Sequence, residues 1–471
     1  MSTLGRELVV SAEEHGDRAA LVFEDRTIGY REFLDLALRV AGDLRERGLE
    51  AGDRVAVMLP NVPAFAIVFY GVQLAGGIAV PVNPLCKERE VAHYVGDSGA
   101  RFLVVGEHQA GAETRFGAVV LGVDAYATQL TGGQPAEPAE RAADDIAVII
   151  YTAGMTGVSR GAQLSNANVG SNARVVADEL LDLGPDDVIL GCLPFFHAFG
   201  LTCTLGSAVS RGATLVLVPR FTPGKALELM RRHGVSVLLA VPTMLAGLLA
   251  SGHEGLPALR TCVSGGSSLP VALLERFEAE FGTPVYEGYG LSETSPVASF
   301  NHPKLGRKAG SIGTPMTGVE MDLVDGEIVI RGENLMKGYW KADDATARVV
   351  RDGWLFTGDL AERDEDGYYF ITGRSKDLVI RGGLNVYPGE IETVLLEHPA
   401  VAEAAVHPVP DEALGEEVAA AVVLRDGMTA TPDELRTFVR SQVAPYKYPR
   451  TVRLVPALPK DPEGRIIRSA L

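Results

Sequence analysis

The regular alternation of short apolar runs with helix-like stretches constrains the fold of this chain more than any other feature. The helix-like stretch "AFAIVFYGVQLAGG" separates the apolar run "DRVAVMLP" from the next one, "IAVPVNP", and later runs include "RFLVVG" and "DIAVIIYT". A short apolar run beside a helix is typical of a parallel strand that is buried on both faces of its sheet. The pattern therefore predicts an α/β fold in which helices pack in layers against sheets.

The pattern changes twice in the second half of the chain. At 471 residues the chain is too long for one core, which predicts two domains of unequal size. The stretch "MDLVDGEIVIRGENLMKGYW" combines short strands with glycine turns and predicts a smaller β-rich subdomain. We therefore predict a large N-terminal domain over residues 1–374, with layered α/β subdomains plus the β-rich one. A small α+β C-terminal domain over residues 375–471 is expected to follow.

The charge of the chain argues against several classes of partner. The formal net charge is −18, whereas a protein that binds nucleic acid or an anionic membrane needs a basic face. The N-terminus lacks the apolar core of a signal peptide, and no stretch of about 20 apolar residues spans a bilayer. Scattered cysteines without CxxC spacing indicate thiols in a reducing cytosol. We expect a soluble, cytoplasmic protein with neither a nucleic-acid partner nor a membrane partner.

The stretch "YTAGMTGVSRG", at residues 151–161, has the composition of a loop that holds an anion. Its glycines allow backbone N–H groups to turn toward an anion, and Thr152 and Thr156 add hydroxyl donors. Arg160 adds a cation, although the GxxxxGK[ST] spacing of a Walker A motif is absent. Taken alone, a Gly/Thr loop that follows a strand is more often a plain turn, so this interpretation needs support from other motifs.

Two later motifs place carboxylates in loops. In "YEGYGLSETSP", Glu293 is suited to hold Mg²⁺, which prefers one or two carboxylates together with phosphate oxygens, and Tyr289 offers a flat face to a purine. In "WLFTGDL", Asp359 follows a strand and a turn, where an acidic side chain accepts hydrogen bonds from ribose hydroxyls. The alternative for each motif is an ordinary glycine-rich turn with an exposed acidic side chain.

The C-terminal residues are basic, unlike the chain as a whole. Residues 447–468 contain six Lys or Arg against two acidic residues, Asp461 and Glu463, which gives this segment a net charge of +4. Such a segment suits a domain that moves over phosphates, although a solvated surface explains it equally well.

These motifs occur in an order that resembles the adenylate-forming superfamily, which includes acyl- and aryl-CoA synthetases, peptide-synthetase adenylation domains and luciferases. The resemblance rests on "YTAGMTGVSRG", "YEGYGLSET", "TGD", "GRSKD" and "GGLNVYPGEIE", and it covers nearly the whole chain. It implies an enzyme that activates a carboxylate with Mg·ATP to an acyl-adenylate and pyrophosphate, and then transfers the acyl group to a thiol or an amine. It also implies that the C-terminal domain is mobile and turns about a hinge at Lys376.

The resemblance assigns roles to individual residues. The residues implied in catalysis are Thr156, His197, Glu293 and Arg465, with Glu293 as the magnesium ligand. The residues implied in binding ATP or CoA are Thr152, Gly154, Thr156, Gly157, Arg160, Gly265, Gly266, Ser267, Glu287, Gly288, Tyr289, Gly290, Ser292, Asp359, Arg374, Lys376, Gly382 and Gly383.

These residues divide among implied subsites. The resemblance implies that residues 152–157 hold pyrophosphate, that Ser292 contacts the α-phosphate, and that His197 lies at the mouth of the acid pocket. The adenine and acyl pocket is bordered by residues 265–267 and 287–290, and the ribose is held by Asp359 and Arg374. Arg381, Gly382 and Gly383 are implied to shape the tunnel for the thiol.

Two positions depart from the pattern of the family. Its loop usually reads S/T-G-T/S-T-G, and here Met155 replaces a hydroxyl residue and Ala153 another common one. A lost hydrogen bond to a phosphate is worth about 1.5–3 kcal/mol, so we expect ATP to bind more weakly. The adenylation lysine of the family is Arg465 here, and its planar guanidinium is not interchangeable with an ammonium. We expect Arg465 either to act as a working substitute or to make adenylation slow or altered.

The leading hypothesis is an ATP-dependent acid–CoA ligase, because "IRGGLNVYPGEIE" resembles the branch that uses CoA and no carrier domain is evident after it. The apolar "FFHAFG" and the lack of an extra Arg or Lys in "YEGYGLSETSPVASF" favour a fatty or aromatic acid with one carboxylate. One alternative is an adenylating ligase whose acceptor is a carrier-protein thiol or an amine, or whose substrate is an unusual acid such as a small inorganic anion. Another is a nucleotide-binding or acyl-binding relative with weakened catalysis.

Overall fold

The protein consists of two compact units. The structure is a computed structural model, and it describes residues 3–110, 114–153, 159–252, 255–374 and 378–459, together with residues 466, 468 and 471. The first unit comprises Met1–Pro84, Val95–Tyr151 and Gly161–Gly373, and the second comprises Leu85–Tyr94, Thr152–Arg160 and Arg374–Leu471. The second unit thus adds two earlier segments to the C-terminal residues. The predicted hinge at Lys376 stays a prediction, because residues 375–377 lie outside the described residues.

A nine-stranded sheet forms one layer of the first unit. Its strand order is Thr314–Pro315, Val297–Phe300, Val285–Gly290, Thr261–Ser264, Val237–Ala240, Val188–Gly191, Thr214–Leu217, Ala19–Phe23 and Arg26–Gly29. The strands from Val285–Gly290 to Ala19–Phe23 pair in parallel, whereas the strands at both edges pair antiparallel. The central strands Val237–Ala240 and Thr261–Ser264 are buried at every residue, as expected for parallel strands that are covered on both faces.

An eight-stranded sheet leads into the predicted phosphate loop. Its strand order is Gly338–Tyr339, Ser159–Ser165, Ile146–Ala153, Ile78–Pro81, Arg54–Met58, Phe102–Gly106, Ala118–Val123 and Thr114–Arg115. The strands Ile146–Ala153 and Ser159–Ser165 flank the loop, and the first of them pairs in parallel with Ile78–Pro81. The loop therefore follows the carboxyl end of a parallel strand, which is where ligands bind in open α/β sheets.

The helices pack against these sheets in layers. Helix Pro63–Ala75 is buried along its whole length, as expected for a helix that is apolar on every side. It begins at Pro63 in the first turn and ends at Gly76, whose φ of 86° is easily adopted only by glycine. The α-helices of the described residues are Leu4–His15, Tyr30–Glu46, Pro63–Ala75, Glu88–Ser98, Asn166–Val175, Ser207–Arg211, Pro223–His233, Pro242–Ala250, Val271–Phe281, Asp343–Val349, Pro388–Leu396 and Pro432–Gln442. Among them, none has both the length and the apolar character needed to cross a membrane.

Four short helical segments differ from the α-helices. Residues Val176–Leu180 and Phe199–Gly206 form π-helical segments, and the second of these follows the "FFH" sequence of the predicted acid pocket. Short 3₁₀ turns occur at Glu107–Gln109 and Ser292–Thr294. π-helical turns often occur at functional sites, which makes the segment after His197 a candidate wall of such a site.

A five-stranded antiparallel sheet forms the β-rich part of the first unit. Its strands are Val319–Val324, Glu327–Gly332, Trp354–Arg363, Val350–Arg351 and Tyr369–Arg374. The hairpin between the first two turns at Asp325 and Gly326, whose φ values are 51° and 82°. Two successive positive φ values are typical of the tight hairpin turn for which Asp-Gly is favoured. The β-rich subdomain that the sequence predicts is therefore present, at the predicted place.

The C-terminal part of the second unit has its own sheet and core. Its five strands are Leu384–Val386, Val379–Arg381, Gly415–Leu424, Val401–Asp411 and Thr451–Leu454. Helices Pro388–Leu396 and Pro432–Gln442 cover the sheet with buried residues such as Ile391 and Leu435. The second helix begins with a capping box formed by Thr431 and Glu434. The predicted fold class, a large α/β part with a smaller α+β part, is confirmed.

Candidate active site

Two parallel strands bring separate motifs together at one edge of the nine-stranded sheet. Ser264 lies opposite Glu287 in the register of the two strands, so "VSGGSS" and "YEGYG" leave the sheet side by side. A Cβ atom on Gly265 would lie 3.1 Å from two ring carbons of Phe199 and 3.7 Å from the carbonyl oxygen of Gly288. Glycine at position 265 thus allows the Phe199 ring to approach the strand ends and to form an apolar wall.

Two further predicted glycines are required by the backbone, at positions 290 and 266. A Cβ atom on Gly290 would lie 1.8 Å from the carbonyl oxygen of Pro296, whereas one on Gly288 would make an ordinary contact at 3.4 Å from that of Ser299. Gly266 has a φ of 80°, which most other residues avoid. These glycines therefore let the strand end and its return strand pack closely, and Ser267 follows them in a half-buried position.

The Glu287 side chain is buried at this edge of the sheet. It is only 7% exposed, and its carboxylate accepts hydrogen bonds from the backbone N–H of Leu269 at 3.1 Å and of Gly310 at 3.3 Å. Burial raises the pKa of Glu287 to about 7, against the lowering effect of these two bonds. Glu287 therefore ties the loop after Gly266 to the turn at Gly310.

Asp359 and Tyr289, which the sequence predicts separately, meet in the structure. The Tyr289 hydroxyl donates to Asp359 Oδ2 at 2.6 Å, and the backbone N–H of Asp359 donates to Thr357 Oγ1 at 3.1 Å. Asp359 is only 9% exposed and lies in the long strand Trp354–Arg363. The aromatic ring and the carboxylate are thus fixed together by this hydrogen bond.

Glu293 is fixed by a residue that the sequence analysis missed. The Tyr339 hydroxyl donates to Glu293 Oε1 at 2.7 Å, and the backbone carbonyl of Glu293 accepts from the N–H of Met336 at 2.9 Å. Ser292 lies in the same 3₁₀ turn. The Tyr339 hydroxyl thus orients the Glu293 carboxylate through one of its two oxygens.

The donor set around Glu293 fits magnesium rather than a metal held by protein alone. Within the described parts of the chain, no group of three or more His, Cys, Asp or Glu side chains could hold a metal ion. Mg²⁺ is usually held by one or two carboxylates together with the phosphates of a nucleotide. The single oriented carboxylate of Glu293 matches that requirement.

His197 is half-buried in the turn that precedes the π-helical segment. The backbone N–H of Phe199 donates to His197 Nδ1 at 3.4 Å, which places the proton of the neutral ring on Nε2. Burial lowers the pKa of His197 below its ordinary value. His197 therefore presents a neutral imidazole at pH 7 and carries no fixed positive charge.

The described residues at both ends of the predicted phosphate loop are held by side chains of helix Glu88–Ser98. The Tyr151 hydroxyl donates to Asp97 Oδ2 at 2.6 Å before the loop. After the loop, His93 Nε2 lies 2.8 Å from the carbonyl oxygen of Ser159. His93 and Asp97 are four residues apart and share one face of their helix. The sequence analysis gave neither residue a role, because nothing local marks a helix face that supports a distant loop.

Thr152, the first residue of the loop, contacts the C-terminal part of the second unit. Its hydroxyl lies 2.9 Å from the hydroxyl of Tyr387, and Thr152 is only 9% exposed. Arg160 is half-buried on the strand after the loop. Gly154, Met155, Thr156 and Gly157 lie outside the described residues.

The predicted thiol tunnel residues form a tight turn. Gly382 and Gly383 have φ values of 58° and 82°, so both adopt a conformation that favours glycine. The Arg381 guanidinium makes a bidentate contact with Glu417, with distances of 2.6 and 2.8 Å. Burial of Glu417 is outweighed by its bonds to Arg381 and to the backbone, so the pKa of Glu417 is lowered. Arg381 is thus engaged in fixing the turn.

The remaining predicted residues fall at the limits of the description. Arg374 ends the strand Tyr369–Arg374, and its side chain lies outside the described residues, as do Lys376 and Arg465.

One basic residue contradicts the interpretation of the C-terminal segment as a solvated surface. Lys447 is 4% exposed, and its ammonium lies between the carboxylates of Glu90 and Glu390. A lysine in water loses no hydration energy, whereas a buried ammonium is removed from water and requires carboxylate partners.

The comparisons with known proteins cover the whole chain. Residues 8–340 match the AMP-binding enzyme family, and residues 390–465 match the C-terminal domain of AMP-binding enzymes. The chain is 34% identical to the long-chain-fatty-acid–CoA ligase of Bacillus subtilis, over 100% of this chain and 94% of that protein. It is 34% identical to the feruloyl-CoA synthase of an Amycolatopsis species, over 93% of this chain and 92% of that protein.

A solved structure gives the same result at the level of the fold. The o-succinylbenzoate CoA synthetase of Bacillus subtilis, bound to its product analogue OSB-NCoA, has a TM-score of 0.91 to this chain. The two chains are 31% identical, and the match covers 99% of this chain and 98% of that chain. The similarity thus extends through both units.

Proposed function

This chain belongs to the AMP-binding enzyme family, on the acyl-CoA synthetase branch of the adenylate-forming superfamily, and we propose that its substrate is a fatty or aromatic acid. It is an AMP-forming acid–CoA ligase, which converts an acid and ATP to an acyl-adenylate and pyrophosphate and then passes the acyl group to CoA. The end-to-end similarity to acid–CoA ligases is the observation that carries this conclusion.

In the first step we assign nucleotide binding to the edge of the nine-stranded sheet. Tyr289 would stack on the adenine, and Asp359, held by the Tyr289 hydroxyl, would accept hydrogen bonds from the ribose. Ser292 and the loop from Thr152 to Gly157 would donate hydrogen bonds to the phosphates. Such donors favour the reaction because negative charge accumulates on the phosphates in the transition state.

Glu293 is the residue proposed to hold magnesium. The support for this role is the hydrogen bond from Tyr339, which fixes one oxygen of the Glu293 carboxylate. When bound, the ion would neutralise phosphate charge during adenylation. Arg465 is proposed as the cation from the C-terminal domain, in the position where relatives carry lysine. The expectation that Met155 weakens ATP binding stays a prediction.

The residues around His197 favour an acid with a single carboxylate. The Phe199 ring packs against Gly265, which supplies an apolar surface, and the neutral His197 supplies no positive charge. A second carboxylate would need a cation, because burying an unpaired charge costs several kcal/mol. An alkyl chain or an aromatic ring has no such requirement.

In the second step we assign CoA to the glycine turn of the second unit. The positive φ values of Gly382 and Gly383 allow a tight turn, and the Arg381–Glu417 pair fixes it. The C-terminal domain is proposed to turn about Lys376 between the two steps, so that the thiol reaches the acyl carbonyl.

Acid-dependent release of pyrophosphate tests this proposal. The purified enzyme is mixed with Mg·ATP and a panel of fatty, aromatic and dicarboxylic acids, and pyrophosphate and acyl-CoA are measured with and without CoA. We expect fatty or aromatic acids to give the highest kcat/KM and the thioester to form only with CoA. Pyrophosphate release without a thioester would indicate a carrier thiol or an amine as the acceptor. A preference for dicarboxylic acids would contradict the proposed substrate class.

A further inference from the structure

The hydrogen bond between Thr152 and Tyr387 joins two functional segments of the second unit. The two hydroxyls lie 2.9 Å apart, although 235 positions separate the residues in the chain. Thr152 opens the predicted phosphate loop, whereas Tyr387 lies in "GGLNVYPGEIE", the segment assigned to CoA. No motif predicts a link between these two segments, so the contact adds information that the sequence lacks.

The Tyr387 side chain is held firmly from its own side. Asn385 Nδ2 donates to the Tyr387 hydroxyl at 3.4 Å, from the strand Leu384–Val386. Helix Pro388–Leu396 begins directly after Tyr387, and the proline in its first turn restricts the backbone there. The Tyr387 hydroxyl therefore has a partner in the C-terminal part of the chain in addition to Thr152.

Contacts of Lys447 and of His93 also join separate segments of the second unit. Lys447 Nζ lies 2.5 Å from Glu90 Oε1 and 2.7 Å from Glu390 Oε1, so it ties helix Pro388–Leu396 to the segment Leu85–Tyr94. That segment also carries His93, which holds the far end of the loop through Ser159. Tyr387 thus contacts Thr152, the first residue of the loop, and His93 contacts Ser159, which follows the loop.

The Thr152 hydroxyl has one proton, and either hydroxyl of the Thr152–Tyr387 pair could be the donor at 2.9 Å. Phosphate oxygens are acceptors, so a phosphate binds this hydroxyl only if it receives that proton. Thr152 is only 9% exposed, which leaves little room for a second partner. When Thr152 donates to Tyr387, a phosphate oxygen receives the proton only in place of Tyr387.

We infer that Tyr387 and the phosphates of ATP or pyrophosphate are alternative partners of the Thr152 hydroxyl. This inference rests on the proposed function, since it assumes that the loop binds phosphates. Tyr387 is then a positioning residue: it holds Thr152 after pyrophosphate leaves and hinders pyrophosphate from binding again. Binding of either phosphate ligand and the Tyr387 contact therefore oppose each other.

Binding of magnesium pyrophosphate to the full-length enzyme tests the competition, because this probe needs no knowledge of the acid. We expect Tyr387→Phe to bind pyrophosphate about two- to tenfold more tightly, since one neutral hydrogen bond no longer has to be broken. The variant should also lower the KM for ATP without changing kcat for pyrophosphate release, and acyl transfer to CoA should slow. Tyr448→Phe removes a hydroxyl from the same part of the chain, where its ring packs on Arg450, and should change nothing.

A double-mutant cycle with Thr152 separates competition from a general loosening of the unit. In a Thr152→Val background, Tyr387→Phe should have no further effect, whereas in Thr152→Ser it should tighten binding as in the wild type. Weaker pyrophosphate binding by Tyr387→Phe, or an equal gain in the Thr152→Val background, would overturn the inference. A wild-type enzyme that binds no pyrophosphate would reject the proposed function as well, so the two failures are distinguishable.

Discussion

The edge of the nine-stranded sheet in the first unit and the Lys447 cluster in the second unit hold their charged groups differently. At the sheet edge, Asp359 and Glu293 each accept a hydrogen bond from a tyrosine hydroxyl. In the second unit, the Lys447 ammonium is buried between the carboxylates of Glu90 and Glu390. A hydroxyl orients a carboxylate and leaves its charge for a ligand, whereas an ammonium neutralises that charge within the protein.

The difference indicates two kinds of task. We propose that the sheet edge is preorganised for a nucleotide and its metal, since tyrosine hydroxyls orient its carboxylates. The Lys447 cluster joins segments that are 357 positions apart in the chain, and it contributes to how the second unit is assembled. Removal of a group from the first site should therefore affect mainly catalysis, and removal from the second should affect mainly stability.

The largest expected effect is the loss of stability in Lys447→Met. The substitution leaves two buried carboxylates without their cation, which typically costs about 3–5 kcal/mol. Hydrogen exchange of the strand Gly415–Leu424 would report this loss, because those amides open with the core of the second unit. Lys308→Met is the matched control: Lys308 also contacts two carboxylates, Asp364 and Asp366, but its side chain is 35% exposed. That exposed group should contribute far less to stability, as hydrogen exchange of the adjoining strand Trp354–Arg363 would show. Equal effects of the two substitutions would remove the contrast.

The next effect concerns magnesium and the rate of adenylation. Glu293→Gln removes the charge that Tyr339 orients, so pyrophosphate release should slow by about 10²–10³-fold, with a higher magnesium requirement. Thermal stability should change little, unlike that of the Lys447 variant. Tyr339→Phe keeps the charge and loses only its orientation, so it should show a smaller fall in rate. A Glu293→Gln enzyme with normal activity would refute the assigned metal ligand.

The third effect is a dependence of stability on pH in the first unit. Folding raises the pKa of Glu287 to about 7, so the folded protein binds a proton that the unfolded chain releases above its ordinary value of 4.5. This contribution is fully present below pH 4.5 and is lost as the pH rises through about 7, by up to roughly 3 kcal/mol. In Glu287→Gln the free energy of unfolding should depend less on pH. Unfolding is followed by the fluorescence of Trp340 and Trp354. Burial also raises the pKa of Glu7 to about 7, so some dependence of stability on pH should remain in this variant.

The smallest effect is on ATP affinity. Tyr289→Phe keeps the ring that would stack on adenine but loses the hydrogen bond to Asp359, so the KM for ATP should rise about tenfold with kcat nearly constant. Tyr286→Phe changes a neighbouring tyrosine whose ring packs near Arg307, and it should leave the KM unchanged. A fall in kcat alone for the Tyr289 variant would contradict a role in nucleotide binding.

The parts of the molecule that are encoded locally could be predicted from the sequence. The alternating apolar runs specify the parallel strands, and Asp-Gly at residues 325–326 specifies a hairpin in the β-rich subdomain. Glu293, Tyr289 and Asp359 were found because each lies in a short motif with distinctive glycines. The fold and these candidate residues thus follow from patterns within a few residues of each other.

The partners of those residues could not be predicted, because they are distant in the chain. Tyr339 lies 46 positions from Glu293, and Lys447 lies 357 positions from Glu90. Periodicity and motif spacing carry no information about such pairs, which depend on how the sheets are stacked. Lys447 was therefore counted only as one charge of a basic segment, although packing buries it.

A single-turnover experiment tests the central claim, that one chain carries out both adenylation and thioester formation. The enzyme is mixed with Mg·ATP and its best acid without CoA, the reaction is quenched, and the products are separated before and after CoA is added. The account predicts one acyl-adenylate and one pyrophosphate per enzyme molecule, followed by conversion to acyl-CoA and AMP when CoA arrives. Formation of ADP and phosphate, or an adenylate that CoA leaves unchanged, would contradict it.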